Sequence, residues 1–252
     1  MEGNSLIASD IKMIKDILFV LIQVLANIIQ AITGFAGGPI AMPPSMALVG
    51  VGNAKAAITM ILWFVTLIVT VQNLKFINFK KLGIMLGFMI VGMIPGMWLF
   101  DKLPTQILMI VYGVIVVLIG LDKLLRSNSK ELKAPWNYVA LFFSGIMQGM
   151  FTSGGPFLAL YATTAMKDKK EFRATVTPVW TILNTYMIFN MYRQGMYSGY
   201  VMKLTGISIV PVLVAIMIGN RINTRIEQKT FLKLVYVLLI ISGAILLMNA
   251  FI

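Results

Sequence analysis

The chain has 252 residues, 59% of them hydrophobic and 12% charged, with a mean hydropathy of +0.88 and a formal net charge of +12. A soluble domain carries about 25% charged residues, so this balance excludes a water-soluble globular protein and points to an all-α polytopic membrane protein. Cysteine and histidine are both absent, which excludes disulfides and thiol chemistry, removes the usual general base and nearly all zinc, copper and haem ligation, and leaves no cofactor or metal to expect.

Taken in chain order, Met1 to Asp10 are polar and lack a basic region followed by a small-residue cleavage site, so no removable leader is expected. Apolar segments follow at about 15–33, 38–50, 53–73, 82–100, 104–124, 136–151, 155–166, 174–194, 200–219 and 230–251. Most approach the roughly 20 residues needed to cross a hydrocarbon core. Segments 38–50 and 155–166 are too short to cross as straight helices, and fusing each with its predecessor gives about eight hydrophobic segments.

The first short segment begins at Gly34-Phe-Ala-Gly37-Gly38-Pro39, and the second at Thr152-Ser153-Gly154-Gly155-Pro156. A glutamine precedes each, Gln30 and Gln148. A Gly-Gly-Pro break inside a membrane helix is costly unless the freed backbone lines a cavity or is buried in protein. Two breaks at corresponding places in two halves are a sequence pointer to a transporter's binding site. The halves also share Lys55-Ala56 with Arg173-Ala174, Gly83 with Gly206, Gly96 with Gly219, and Val111-Tyr112 with Val235-Tyr236. Residues 1–124 are therefore read as one membrane repeat, 125–135 as a cytoplasmic linker, and 136–252 as a second repeat.

Charge orients these repeats. Basic residues cluster at Lys75, Lys80 and Lys81; at Lys123, Arg126, Lys130 and Lys133; at Lys167, Lys169, Lys170 and Arg173; and at Arg221, Arg225, Lys229 and Lys233. Placing all four clusters in the cytoplasm makes segment 53–73 enter from outside while its counterpart 174–194 starts inside. The repeats are then inverted, each a broken or re-entrant helical hairpin plus three transmembrane helices, with both termini outside. The alternative is a parallel repeat of simple spans. The basic excess is an orientation signal, with the lipid bilayer as partner and no nucleic acid implied.

The duplicated Gly-Gly-Pro breaks, each in the first hydrophobic unit of a half, resemble the TauE/SafE sulfite exporter family over essentially the whole chain. The resemblance implies a bacterial inner-membrane permease for sulfite, an organosulfonate or a related anion. A homodimer is possible on the sequence.

The residues agree with an anion. A helix N-terminus exposes N–H groups and about half a positive charge, glycine lets a ligand approach the backbone, and proline fits the first turn. Gly37, Gly38 and Pro39 with Gly154, Gly155 and Pro156 are therefore expected to begin two half-helices whose N-termini cradle a small anionic substrate. Gly34 belongs to the same turn. Thr33, Thr152 and Ser153 would add hydroxyl donors, and Gln30 and Gln148 amide donors. Thr181 and Asn184 lie on the polar face of 174–194 with Thr177 and Thr185, beside Pro178 and Trp180, and are expected on the pathway. Close helix packing is the other use of such glycines. On this reading Gly38→Val and Gly155→Val abolish binding in a folded protein. Asp101, Asp122, Asp168, Glu171 and Glu227 fall at segment ends or in loops, so no buried carboxylate is expected as a proton relay. Lys55 and Arg173, at the mouths of their spans, are expected to reach the interface by snorkelling, the alternative being that each attracts anions on its own side of the membrane. Glycines 83, 87, 92 and 96 are expected to form a tight-packing stripe, and the 19 methionines to fill apolar volume. Alternatives are a passive anion channel, or a transporter of another small solute coupled to Na+ or H+.

Overall fold

The computed structural model describes residues 2–125, 135–166, 168–223 and 228–251. Among them are ten α-helices, one short 3-10 turn at Leu74–Phe76, and no strand. The helices are α1 Glu2–Thr33, α2 Gly37–Val49, α3 Val51–Gln72, α4 Phe79–Lys102, α5 Thr105–Leu125, α6 Trp136–Phe151, α7 Gly155–Ala165, α8 Lys169–Arg193, α9 Gly199–Asn223 and α10 Gln228–Ala250. Each overlaps one apolar segment of the sequence. The main difference is α1, which begins at Glu2 and not near residue 15. Arg126, Lys130, Lys133, Lys167, Arg225 and Glu227 lie outside the described residues, as does nearly all of the 125–135 linker.

Against the expectation of about eight hydrophobic segments, five described helical stretches are long and apolar enough to span a membrane: Asp10–Thr33, Val51–Gln72, Phe79–Lys102, Thr105–Asp122 and Gly199–Ile222. Helix α8 is long enough but carries Thr175, Thr177, Thr181, Asn184, Thr185 and Asn190. Thr175, Thr177, Thr181 and Asn184 are buried and Thr185 bonds Trp63, so this polar face of α8 is shielded by protein where its composition would not suit lipid.

Several helix contacts are equivalent on exchange of α1–α5 with α6–α10. Helix α4 lies parallel on α6: Gly145 meets the Met89 backbone, and Gly149 meets Met93 and Met97. Gly92 and Gly96 meet Phe142 and Ile146 in return. Helix α9 lies parallel on α1 in the equivalent way. Asp16 there bonds Tyr200 and Lys203, and Gly219 meets Ile28 and Ala31. Small residues at these crossings let backbones approach, the means of holding helices together when lipid supplies no hydrophobic driving force. Gly83 and Gly87 do not join this stripe, because nothing lies within 4 Å of a side chain built there.

Helices α3 and α8 are antiparallel. Trp63 donates its indole N–H to Thr185 at 2.7 Å, and Thr70 shares a 3.3 Å hydroxyl bond with Thr181. Helices α5 and α10 are antiparallel too, with Gly113 against Gly243 and Leu247 and Gly120 against Tyr236 and Ile240.

Basic connections gather at one end of the bundle. The Asn78 N–H donates to Thr175 at 3.0 Å, and Lys81 pairs with Glu171 at 2.7 Å. Arg173 donates to Asn220 at 2.5 Å. Hydrogen bonds from Lys81 and Asn78 hold the Glu171 carboxyl below its usual range. At the opposite end Gln194 donates to Asp101 at 2.9 Å, Gln106 to the Ala250 carbonyl at 2.9 Å, and Lys12 lies 4.8 Å from the Tyr200 ring.

Candidate functional site

The first break follows from one glycine and one glutamine. Helix α1 ends where Gly34 turns left-handed at φ 84°. The Gln30 side chain then spans the gap. Its Oε1 accepts from the Gly37 N–H at 2.7 Å, and its Nε2 donates to the Gly34 carbonyl at 3.2 Å. Thr33 Oγ1 accepts from the Phe35 and Ala36 N–H groups at 3.3 and 3.1 Å. Most groups orphaned by the break are thereby satisfied, as a helix terminus buried in protein requires.

The second break repeats the clasp with different details. Helix α6 ends at Thr152, the only non-glycine residue with positive φ among the described residues, at 54°. The Gln148 Oε1 accepts from the Gly154 N–H at 3.2 Å, while its Nε2 donates to Asn184 Oδ1 at 2.8 Å. Thr59 uses its proton on the Lys55 carbonyl at 2.7 Å, so Thr152 is the donor in their 2.8 Å hydroxyl pair. Ser153 accepts from the Tyr112 hydroxyl at 2.6 Å and donates to the Phe151 carbonyl at 2.9 Å. Tyr112 in turn stacks on Phe151, with centroids 4.2 Å apart.

The two breaks interlock. A side chain at Gly38 would strike the Thr152 carbonyl, and one at Gly155 would strike the Phe35 carbonyl. Between them lies a small cavity of about 10 Å³, room for roughly one water. Its lining contains Gln30 and Gln148, Leu62 and Trp180, and Thr66 and Asn184, pairs related by one constant offset along the chain. Phe35, Gly38, Pro39, Thr152 and Gly155 complete it.

The cavity wall offers protons and no charged side chain. Trp180 Nε1 and Asn184 Nδ2 are buried without a hydrogen-bond partner. The N–H groups of Gly38 and Gly155, at the first turns of α2 and α7, donate to no described residue. Buried donors are nearly always satisfied, and exceptions need an explanation. A cluster of unsatisfied N–H groups at two helix N-termini suits an anion.

Seven of the residues singled out in the sequence meet at this cavity: Gln30, Gly38, Pro39, Gln148, Thr152, Gly155 and Asn184. Gly37 and Gly154 are held by the glutamines, and Thr33, Gly34 and Ser153 shape the turns. Pro156 occupies the first turn of α7 but does not line the cavity. Thr181 is also outside it, bonded to Thr70 and to its own helix at Thr177. The glutamine amides are not the free donors expected: Gln148 spends both protons, on Asn184 and the Met187 sulfur, and Gln30 spends one on the Gly34 carbonyl. Trp180, Leu62 and Thr66 were not singled out as site residues, although the Gln30-to-Gln148 offset relates Thr66 to Asn184 and Leu62 to Trp180.

Two expectations about charge are corrected. Asp16 is a buried carboxylate, 4% exposed within segment 15–33, bonded to Tyr200 and Lys203 at 2.8 Å each. Lys55 does not reach out to the interface. It is 3% exposed, and its ammonium lies 3.3 Å from the Phe100 ring centroid.

A family model described as sulfite exporter TauE/SafE matches residues 19–246. The chain belongs to the TauE/SafE family. It is accordingly a multi-pass membrane protein of a transporter family and not an enzyme. It is similar to the "probable inner membrane transporter protein TsaS" of Comamonas testosteroni, 23% identical over 174 residues, covering 68% of this chain and 73% of the relative. It is similar also to the "probable sulfite/organosulfonate exporter TauE" of Cupriavidus necator, 23% identical over 229 residues, covering 88% and 89%. No solved structure matches the chain. Both glycine breaks of this TauE/SafE protein fall inside the matched region.

Proposed function

We propose that this protein is a secondary permease of the cell membrane, moving a small oxyanion such as sulfite or an organosulfonate by alternating access. The anion is held between the half-helix N-termini at Gly38 and Gly155, with Trp180 and Asn184 as side-chain donors. The observation that carries this reading is the cavity at the crossing of the two breaks, with unsatisfied N–H groups and no charge in its wall. A neutral donor site binds an anion without a counter-charge that would have to be stripped away at release. The printed name of the Cupriavidus necator relative, a probable sulfite/organosulfonate exporter, agrees in substrate class, and that of the Comamonas testosteroni relative agrees in being an inner membrane transporter.

The antiparallel pairing of α3 with α8, and of α5 with α10, supports two inverted repeats. The gathering of basic connections at one end supports a cytoplasmic location for that end. A cavity of about 10 Å³ is too small for a sulfur oxyanion. Rocking of one repeat against the other would widen the site and open it alternately to the two sides.

The test is thermal stabilisation of the purified protein by sulfite, sulfate, thiosulfate, sulfoacetate, acetate and phosphate at constant ionic strength. A ligand at one hundred times its Kd contributes about 2.7 kcal/mol. The expected result is a selective shift for a sulfur oxyanion or sulfonate. Trp180→Phe should melt normally without anion, Asn184→Leu should melt lower because Gln148 Nε2 loses its buried acceptor, and both should lose most of that shift. Equal shifts in both variants and the parent protein contradict the site.

A further inference from the structure

Lys55 and Arg173 stand at equivalent places in the two halves, and neither has a carboxylate partner among the described residues. Lys55 makes no hydrogen bond or salt bridge there; its buried ammonium rests on the Phe100 face. Asp101 acts on it electrostatically, but the carboxylate of Asp101 accepts from Gln194. Arg173 is half-buried and donates to Asn220, a neutral group. Lys81 and Lys203 show the contrast, each paired with an acid at 2.7 and 2.8 Å. A buried cation without a counter-ion is expensive in a membrane protein and is a functional hypothesis by default.

Placement says what these cations serve. Lys55, Thr59, Leu62 and Thr66 share one face of α3 at helical spacing, and Arg173, Thr177, Trp180 and Asn184 share one face of α8. The last two of each set line the cavity. Seven residues of helix separate each cation from the cavity wall, about 10 Å. Because α3 and α8 are antiparallel, the two cations lie toward opposite ends of the bundle.

We propose that Lys55 is a loading site that receives the oxyanion on the outer side before it enters the cavity, and that Arg173 is the matching site on the cytoplasmic side. This rests on the anion-permease reading. The Lys55 ammonium has donors to spare and one aromatic face behind it, and Asp101 acts on it without pairing directly, so an arriving oxyanion takes the direct ion-pair place that no carboxylate fills. Neutral donors further in then take the anion over. Arg173 does the same from the other side once its bond to Asn220 opens.

The experiment is exchange of radiolabelled sulfite in proteoliposomes of uniform orientation, titrating sulfite separately on each side. Lys55→Met should raise the outer half-saturation about tenfold, leaving the inner value within about twofold, the pattern of lost binding at one entrance. Lys55→Arg should restore it. Arg173→Met should give the mirror image, and it carries the same prediction should Lys55→Met fail to fold. An unchanged outer value, or an equal rise on both sides, overturns the loading sites while leaving the permease reading intact. No sulfite exchange by the parent protein overturns that reading, and the loading sites with it.

Discussion

The two helix breaks share a clasp and differ in what the clasp is tied to. At the first, both ends of the Gln30 amide stay within the break, on Gly37 and Gly34. At the second, Gln148 holds Gly154 with its oxygen and reaches across to Asn184 with its nitrogen. That bond fixes the Asn184 amide with its NH2 unpartnered in the cavity wall. Thr152 and Ser153 extend the wiring to Thr59 on α3 and Tyr112 on α5. The first break is thus a self-contained turn, and the second is coupled to three other helices. The two breaks share a backbone device, and only the second ties its glutamine to a side-chain donor in the cavity wall.

The largest expected effect tests the feature that the breaks have in common. Gly38→Ala and Gly155→Ala each drive a methyl into the carbonyl of the opposite break. Overpacking of this kind costs about 1–3 kcal/mol, and more where the obstacle is backbone. Both variants should lose stability together in a detergent melting experiment, and Gly38→Val and Gly155→Val should do so more severely. Valine variants at these positions therefore report folding and cannot isolate binding, contrary to the expectation from sequence. Normal melting of either alanine variant would show that the breaks do not interlock.

A smaller effect separates the breaks. Gln30→Leu and Gln148→Leu each leave a buried glycine N–H unsatisfied, at a cost of about 1–3 kcal/mol. Both should lower Tm, but Gln148→Leu should also reduce the selective anion shift, since Asn184 loses its anchor. Equal loss of the shift in both variants would erase the distinction. The smallest effect concerns the turns themselves. Gly34→Ala puts a side chain into left-handed backbone and should cost about 1 kcal/mol. Thr152→Gly relieves the same strain but loses the bond to Thr59, so its Tm should stay within a few degrees of the parent. A large drop for Thr152→Gly would give the hydroxyl bond more weight than the backbone.

Much of the fold was legible because a Gly-Gly-Pro sequence and an apolar run are local signals. The starts expected at residues 38 and 155 fall within one residue of the Gly37 and Gly155 starts of α2 and α7. The start of α1 was not legible, because Ile11, Met13, Ile14 and Ile17 alternate with charged residues and lie exposed, so hydropathy understates the helix. The site was half legible. The glutamines were found, but an amide both donates and accepts, and only the folded geometry shows which of its donors are spent. Asp16 was missed because its partners, Tyr200 and Lys203, are distant in sequence. Trp180 was noticed without a role, since an unpartnered indole N–H becomes visible only when every neighbour is in place.

The most direct measurement is anomalous scattering from crystals of the protein grown with selenite, a heavier analogue of sulfite. The account predicts one selenium peak between the two breaks, within hydrogen-bond distance of the Gly38 and Gly155 N–H groups, Trp180 Nε1 and Asn184 Nδ2. Selenite that stabilises the protein in solution yet gives no peak there, or peaks only at surface lysines, would contradict it.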